Sequence, residues 1–397
     1  MNTRLLLVGL GAAGLLPAQT TWTVDLLNRP GTDFTALQPA VDAAASGDVI
    51  RIRAAGAPAH PAPAYQAPSI DGKSLTLVGE GTGTGPDSTW MRGLLRVRNL
   101  QAGQRVRLAD FAVWESQSAV GSGSSIDFDN NQGVVLVDRV RIEGLGYLVS
   151  PRIRDCSMVV MNQVDYVARP LGLALYRSAL VIHDSTMSSQ FNLIGAVPSP
   201  AMGLFDSRVW LHHSSVIGKD GTTQSPATNA IGAQACELFF GPGTYLQGGL
   251  RPSGGRVSSL FVDLSPQGED TYVHIDPGAS FLGRVEGQWT AEPVPVLRTT
   301  TDGTTRTIDQ FGTPQALVLL AAGPLLPTPW SGPEGLLAID PLPGLAWLAF
   351  APASGPLQWT FPEPPGLPAD FVLGLQGAEL RLDGTVGLTD LATITGR

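Results

Sequence analysis

The sequence predicts a right-handed parallel β-helix, an all-β solenoid with an N-terminal capping helix and a small C-terminal β-module. Three observations predict it: apolar doublets recur every 22 to 29 residues, charge is low while glycine is abundant, and an amphipathic helix precedes the first repeat. The 397 residues are enough for one large solenoid or for two ordinary domains.

The repeat consists of two apolar residues separated by one position, usually followed two positions later by a polar residue. Alternate side chains of a strand face opposite ways, and one rung cannot bury its apolar side alone, so rungs must stack. Parallel crossovers are right-handed by strong preference. The expected inward pairs are Val106/Leu108, Val134/Leu136, Met158/Val160, Leu180/Ile182, Val209/Leu211 and Leu238/Phe240.

Composition narrows the function classes. Only 15% of the residues are charged, the net charge is −9 and the pI is about 5.0. This balance argues against nucleic-acid binding, which needs a basic face. It also makes a polyanionic glycan a poor match for the protein as a whole.

The first 18 residues have the pattern of an export signal. Arg4 precedes a short apolar run, Leu5 to Leu16, and Ala18 offers a small residue at a cleavage point. The run is too short to span a bilayer, and no later segment is apolar for long enough. We therefore expect a secreted, extracytoplasmic or cell-surface protein.

The segment before the first repeat predicts a helix and then a strand. Thr35 and Gln38 have the spacing of a capping box, and Gly47 is the expected helix stop. Val49 to Ile52 reads as a strand, so the helix would cover the open end of the solenoid. The apolar positions at helical spacing are Phe34, Leu37, Val41 and Ala44.

The region from Asp33 to Gly81 resembles the opening of pectate-lyase-like and pectinesterase-like β-helix proteins. The shared features are the helix, a Gly-Asp turn, Tyr65, and the closing Leu-Thr-Leu-Val-Gly-Glu-Gly at 75–81. The resemblance implies the scaffold. The catalytic motifs of those families are not intact in this chain, so the resemblance implies no reaction.

The predicted solenoid occupies residues 19–290, and residues 291–397 form a Pro-rich β-module. Strands are expected near Leu336 to Ile339, Leu345 to Phe350 and Leu357 to Phe361. The stretch Leu367 to Ile394 resembles the tail module of secreted proteins of planctomycete-type bacteria. Gly387-Leu388-Thr389-Asp390 stands where those modules have Leu-Thr-Asn.

The repeat places Cys156, Ser178, Ser207 and Cys236 in one column. Three rungs would then separate the two cysteines by about 14 Å, since strands stack at about 4.8 Å. A disulfide needs Cα atoms within about 6.8 Å. We therefore expect two free, buried thiols.

Two polar clusters are candidates for chemistry. His183, Asp184, His212 and His213 would lie on adjacent rungs, where imidazoles can bind a metal or act as a general base. The alternative is solvated residues at a strand end. The second cluster could hold Ca²⁺ or supply paired acids for glycoside hydrolysis. Turn formation by Asp and Asn side chains is the favoured interpretation. We therefore expect no cofactor. The second cluster consists of Asp110, Asp138, Asn162 and Asp184.

Arginines could recognise a uronate or sulfate, or they could neutralise the nearby Asp138, Glu143 and Asp155. Neutralisation is the favoured interpretation. The arginines are Arg139, Arg141, Arg152, Arg154 and Arg177.

The residues between the inward pairs should face outward, yet they are apolar. Such a stripe marks a covered or a binding surface. We expect a loop or the C-terminal module to cover it; the alternative is a sugar-stacking groove with Trp210 and Trp114 as platforms. The stripe contains Val135, Val159, Val181, Trp210 and Phe239.

The leading hypothesis is an exported, monomeric β-helix scaffold or carbohydrate-interacting surface protein. One alternative is a divergent polysaccharide lyase or glycoside hydrolase that uses the four residues at 183, 184, 212 and 213. Another is a structural component of the cell envelope. The expected partners are extracellular polysaccharides or envelope components.

Overall fold

The computed structural model describes most of the chain from Gln19 to Thr395. The expected export signal at 1–18 lies outside the described residues. These are 19–55, 64–82, 88–114, 125–144, 150–168, 172–190, 199–223, 225–262, 271–302, 304–332, 335–339, 345–363, 367, 371–382 and 384–395.

The chain forms two compact units, one of which is Thr20–Ala291. The other contains Glu292–Arg397. Among the described residues, no helix has the length and apolar character needed to cross a membrane.

The first unit is a parallel β-helix, as the sequence predicts, and its strands pair only with strands of neighbouring rungs. Its elements, in chain order, are β1 Thr21–Val24, α1 Leu37–Ala43, β2 Val49–Ile52, β3 Tyr65–Gln66, β4 Ser69–Asp71, β5 Leu75–Val78, β6 Trp90–Arg92, β7 Leu95–Arg98, β8 Arg105–Trp114, β9 Ile126–Gly144, β10 Arg152–Asn162, β11 Asp165–Ala168, β12 Leu173–Tyr176, β13 Ala179–His183, β14 Thr186–Ser189, β15 Met202–Phe205, β16 Arg208–His212, β17 Ser215–Ile217, β18 Ile231–Gln234, β19 Glu237–Phe240, β20 Tyr245–Gln247, β21 Leu260–Val262, β22 Tyr272–Ile275, β23 Ser280–Leu282 and β24 Gln288–Ala291.

Each full rung contributes one strand to each of three faces. In one rung, β13 lies on face A, β14 on face B and β15 on face C, and each pairs in parallel with its counterpart in the next rung. The long strands β8, β9 and β10 continue around corners, so β8 and β10 each contribute to two faces and β9 contributes to all three. Three sheets therefore enclose one apolar core.

Two rungs of face A are one residue out of the predicted register. Val135 and Val137 occupy the interior, where the sequence analysis placed Val134 and Leu136. The same shift puts Val159 and Met161 inside instead of Met158 and Val160. The cause is local: these two segments are continuous apolar runs without alternation, so the pattern cannot distinguish their two faces. The interior ladders are Val106, Val135, Val159, Leu180, Val209 and Leu238, and Leu108, Val137, Met161, Ile182, Leu211 and Phe240.

The corners of the solenoid are formed by residues in the left-handed conformation. Asx residues adopt this conformation more readily than most others, because their short side chains bond to the local backbone. One corner lies between faces A and B, and the other lies between faces C and A. The first contains Asp110, Arg139, Gln163, Asp184 and His213, and the second contains Asn99, Asn130, Asp155, Arg177, Asp206 and Ala235.

Helix α1 is shorter than predicted and differs in its caps. Ala36 is the N-cap residue and no side chain caps it, so the expected capping box of Thr35 and Gln38 is wrong. Gln38 instead donates a hydrogen bond to the Asp42 carboxylate, at 2.8 Å. The Lys73 ammonium donates to the Val41 carbonyl at the C-terminal end. The helix packs against β1, β3 and β4, and its role as an end cap stays a prediction.

A polar column runs inside the corner between faces C and A. The backbone N–H of Cys156 donates to Ser178 Oγ at 3.0 Å, and the N–H of Ser178 donates to Ser207 Oγ at 3.2 Å. The column continues through Cys236, whose N–H donates to Thr271 Oγ1. Cys156 and Cys236 are free and buried. Burial raises the pKa of each thiol to about 11.

The second unit is antiparallel, and the three predicted strands correspond to β29, β30 and β31. A three-stranded sheet and a larger sheet share an apolar core that includes Leu297, Leu320 and Leu375. The strands are β25 Val296–Thr301, β26 Thr305–Phe311, β27 Leu317–Gly323, β28 Leu325–Gly332, β29 Gly335–Ile339, β30 Leu345–Phe350, β31 Leu357–Pro362, β32 Val372–Leu380, β33 Val386–Leu388 and β34 Ala392–Thr395.

Candidate functional site: an open trench on face C

The residues that the sequence singled out lie on different faces of the solenoid. His183, His212 and Trp210 are on face A, whereas Trp114 is on face B. Arg152 and Arg154 are on face C, whereas Arg139 and Arg177 are at corners and Arg141 is on face B. The structure therefore does not bring these residues together into one site.

The two histidines do lie beside each other, as predicted. The rings of His183 and His212 are 5.8 Å apart, and the rings of His212 and His213 are 4.4 Å apart. His212 Nδ1 donates to the Pro242 carbonyl at 3.0 Å. However, His183 is 6% exposed and His212 is 0% exposed. These imidazoles are part of a buried polar column, which offers little surface to a substrate.

The acidic residues that were predicted to form one column lie in two neighbouring columns. Asp110 and Asp184 form the corner between faces A and B, in the left-handed conformation that turn chemistry predicts. Asp138 and Asn162 lie one position earlier, at the end of face A, in the same column as His183. Within the described part of the chain, no cluster of three or more His, Cys, Asp or Glu residues could hold a metal ion.

The arginines are engaged with carboxylates, as the neutralisation interpretation predicts. Arg139 bonds to Asp110 with both contacts at 2.7 Å and to Asp138 at 2.6 Å. Burial opposes the charge of Arg139, but these two carboxylates raise its pKa above the ordinary value. The other pairs are Arg141 with Glu143, Arg152 with Asp127, Arg154 with Asp129, and Arg177 with Asp155.

The outward column of face A is largely buried, and apart from Arg107 it is apolar. Val135 and Val159, predicted to belong to it, point into the core instead. Trp210 is 3% exposed and stacks on Phe239 with 5.1 Å between ring centroids. Trp210 is thus not available as a sugar platform, and which segment covers this face stays a prediction. The column contains Arg107, Leu136, Val160, Val181, Trp210 and Phe239.

Trp114, the other predicted platform, is half-buried on face B. It lies between Arg92 and Glu143 of the neighbouring rungs. The Arg92 guanidinium is 6.0 Å from the centroid of its ring, within cation–π range. The ring is therefore engaged by a side chain of its own face.

On face C, residues that the structure describes line a trench of about 420 Å³. Its floor is a column of small residues, Ala174, Gly203 and Gly232, on three successive rungs. A Cβ atom at Gly203 would contact only the Phe205 ring, at 3.6 Å. The trench exists because this column has no side chain larger than a methyl group.

Aromatic side chains form one wall and one end of the trench. Tyr176 and Phe205 stack with 4.9 Å between ring centroids and 8° between ring planes. Phe205 is 38% exposed, and Phe261 follows the floor column at one end and is 42% exposed. Pro200 lies opposite, 3.2 Å from where a Cβ of Gly232 would be. Exposed rings beside a concave floor are typical of a ligand site.

Charged residues border the other end of the trench. Arg152 precedes Ala174 in the floor column, and Arg154 precedes Tyr176 in the wall column. Burial raises the pKa of Asp127, but hydrogen bonds from Arg152 and Arg98 outweigh burial and hold it below its ordinary value. The carboxylate is therefore charged at neutral pH and holds Arg152 in place.

Comparison of the sequence with known proteins assigns no function to the trench. No protein-family model matches the chain, and no curated protein sequence matches it. The structure defines the class, a parallel β-helix with an open trench on one face. Function must be inferred from the site.

The trench residues were missed by the sequence analysis, although a signal was present. An inward apolar residue, a small residue and a second inward apolar residue recur at 173–175, 202–204 and 231–233, at steps of 29 residues. The following residue is Tyr176, Phe205 or Gln234. A search for repeats of face C in addition to face A finds this pattern.

Proposed function

We propose that this chain is an exported β-helix protein that binds a glycan in the trench on face C. The observation that carries the proposal is the stacked Tyr176–Phe205 pair beside a floor of small residues. Aromatic rings contact the C–H faces of a pyranose, and uncharged polar groups satisfy its hydroxyls. The apolar run near the N-terminus and the resemblance to pectate-lyase-like proteins support export and an extracellular glycan.

The uncharged polar groups are present around the same trench. Ser150, Ser199, Asn229 and Gln234 line it. Hydroxyl and amide side chains both donate and accept hydrogen bonds, which suits sugar hydroxyls. This lining supports binding rather than bond cleavage, since the catalytic candidates His183 and His212 are on another face.

A substitution that fills the trench tests the proposal. Gly203→Leu places a side chain on the floor without meeting backbone, because Gly203 lies in an extended strand and its neighbour is a ring at ordinary contact distance. Thr186→Leu is the matched control, since Thr186 is exposed on face B of the same rung. Both variants should keep the circular dichroism spectrum of the wild type.

The measurement is affinity electrophoresis and calorimetry of the full chain against a panel of soluble polysaccharides. We expect retardation by at least one polysaccharide, loss of it in Gly203→Leu, and retention of it in Thr186→Leu. Equal retardation of both variants would show that the glycan binds outside the trench. If no polysaccharide binds to the wild type, the envelope-scaffold alternative gains support. Reducing-end release that disappears in His212→Ala would instead establish the hydrolase or lyase alternative.

A further inference from the structure

We infer that the trench selects a neutral glycan chain and discriminates against anionic ones; this inference rests on the proposed function of the same site. The lining residues that the structure describes are all uncharged. Sugar carboxylates and sulfates are strongly hydrated, and transferring them into an uncharged cleft is unfavourable unless a cation pairs with them.

Among the described residues, the arginines in the floor and wall columns of the trench are already paired. Arg154 binds Asp129 through two parallel hydrogen bonds of 2.8 and 2.9 Å, the bidentate geometry that a uronate would require. Arg152 contacts both oxygens of Asp127, at 2.6 and 3.4 Å. An anionic sugar at this end of the trench would have to compete with carboxylates held on the same face.

The arginines farther from the trench do not supply it with a cation either. Arg96 and Arg98 also contact Asp127, at 3.6 and 2.6 Å, and they are half-exposed. The register places Arg96 three rungs from Ala174, about 14 Å at a strand spacing of about 4.8 Å. Physiological salt screens exposed charges beyond about 8 Å. Their excess positive charge therefore acts outside the trench.

The floor also sets the direction of the chain that binds. The small residues lie on successive rungs in one straight column, and Arg152 and Phe261 limit it at its two ends. Between these limits the column advances by four rungs, about 19 Å. A linear oligosaccharide parallel to the solenoid axis fits this floor, whereas Pro200 and the Tyr176–Phe205 wall restrict its width.

The test compares neutral and anionic glycans on the full chain. Calorimetry uses neutral hexasaccharides of glucose, mannose and xylose, and the anionic hexamer of galacturonic acid with a sulfated galactan as a second anion. We expect a neutral ligand to bind, with affinity that changes less than about twofold between low and high salt. Gly203→Leu should abolish this binding and Thr186→Leu should retain it.

An engineered gain of anion binding sharpens the test. Asp129→Asn removes the bidentate partner of Arg154 beside Tyr176 and leaves a longer contact to Asp155, at 3.7 Å. The galacturonic acid hexamer should therefore gain about tenfold in affinity, the contribution of one charge-assisted contact. Asp220→Asn is the control, because that carboxylate pairs with Arg256 in another region. Thermal unfolding of both variants checks that the fold is kept.

The outcomes separate the two proposals. Salt-sensitive binding of an anionic ligand by the wild type, lost in Gly203→Leu, would overturn neutral selection and leave the glycan site standing. Failure of every ligand, neutral and anionic, would overturn the proposed function and the selectivity with it. No gain of anion affinity in a folded Asp129→Asn variant would also contradict the inference, since pairing would then not be what excludes anions.

Discussion

Two pairs of stacked aromatic side chains lie on the outer surfaces of faces A and C, and they have different surroundings. On face A, Trp210 and Phe239 are 5.1 Å apart, nearly parallel, and Trp210 is buried. On face C, Tyr176 and Phe205 are 4.9 Å apart, nearly parallel, and Phe205 is substantially exposed. Both pairs arise because equivalent positions of adjacent rungs meet in a parallel ladder.

The flanking column explains much of the difference. On face A the column beside the aromatic pair contains Asp138, Asn162, His183 and His212, which are bulky and polar. On face C the corresponding flank is the small-residue floor of the trench. Aromatic side chains therefore do not identify a binding surface in this solenoid. The volume of their neighbours determines whether they are accessible.

The buried ion pair of face A should be the most sensitive point of this comparison. Arg107 is almost fully buried and donates to Asp138, which also accepts bonds from Arg139 and Asn162. Asp138→Ala leaves a buried guanidinium without its carboxylate, and we expect a loss of about 3–5 kcal/mol in the free energy of unfolding. Denaturant unfolding followed by tryptophan fluorescence measures it.

The matched control is Asp155→Asn, which removes the charge of the exposed pair with Arg177 and keeps a side chain suited to the left-handed corner. Exposed pairs contribute about 0–1 kcal/mol, so this variant should unfold close to the wild type. A similar loss in both variants would mean that burial of face A does not govern the energy of its charges.

Substitutions in the two aromatic pairs should give the next largest effect on the free energy of unfolding. Trp210→Ala should lower the free energy of unfolding by about 3–4 kcal/mol, because a large buried side chain leaves a cavity. Phe205→Ala should change it by less than about 1 kcal/mol, since the ring is partly exposed. It should instead weaken glycan binding in the trench. Destabilisation of equal size in both variants would remove the distinction between the two surfaces.

The sequence predicted the solenoid well because its information is periodic. Val209 and Leu211 alternate with other residues, so the interior ladder could be located from sequence alone. At Val134 to Val137 both sides of the strand are buried, and the alternation disappears. The register there depends on the corner that follows, where Arg139 adopts a conformation more typical of Asx residues. Sequence spacing alone cannot locate such a corner.

The site was harder to predict than the fold, for a different physical reason. Chemically conspicuous residues such as His212 and Arg139 are used for internal polar contacts. The trench depends on Gly203 and Gly232, which are informative only once their rungs are aligned. A concave surface made by missing side chains has no motif of its own.

Acid should reveal the role of Asp127 at the border of the trench. The bonds from Arg152 and Arg98 outweigh burial and lower the folded-state pKa of Asp127, whereas the unfolded value is about 3.9. Its stabilisation is thus fully present above about pH 4 and is lost as the pH falls through the folded-state pKa. Asp127→Asn should cost about 2 kcal/mol at neutral pH, because neutral acceptors bind guanidinium more weakly.

Urea unfolding of both proteins between about pH 7 and pH 3 checks this sign. The difference in the free energy of unfolding between wild type and Asp127→Asn should stay constant down to about pH 4 and then narrow. Thr186→Leu serves as a variant with no titrating change. A difference that widens on acidification would show that the carboxylate is destabilising when charged, contrary to the contacts seen on face C.

The interior column of cysteines and serines should give the smallest effect. Ser178 and Ser207 occupy the same column as Cys156 and Cys236, and each hydroxyl accepts a backbone N–H. Cys156→Ser and Cys236→Ser should therefore change the free energy of unfolding by less than about 1 kcal/mol. Because burial raises both thiol pKa values to about 11, neither thiol of the native protein should react with a disulfide reagent at pH 8. Rapid labelling of the folded chain, or a disulfide found by mass spectrometry, would place the two sulfurs outside this column and would contradict the ladder that both faces share.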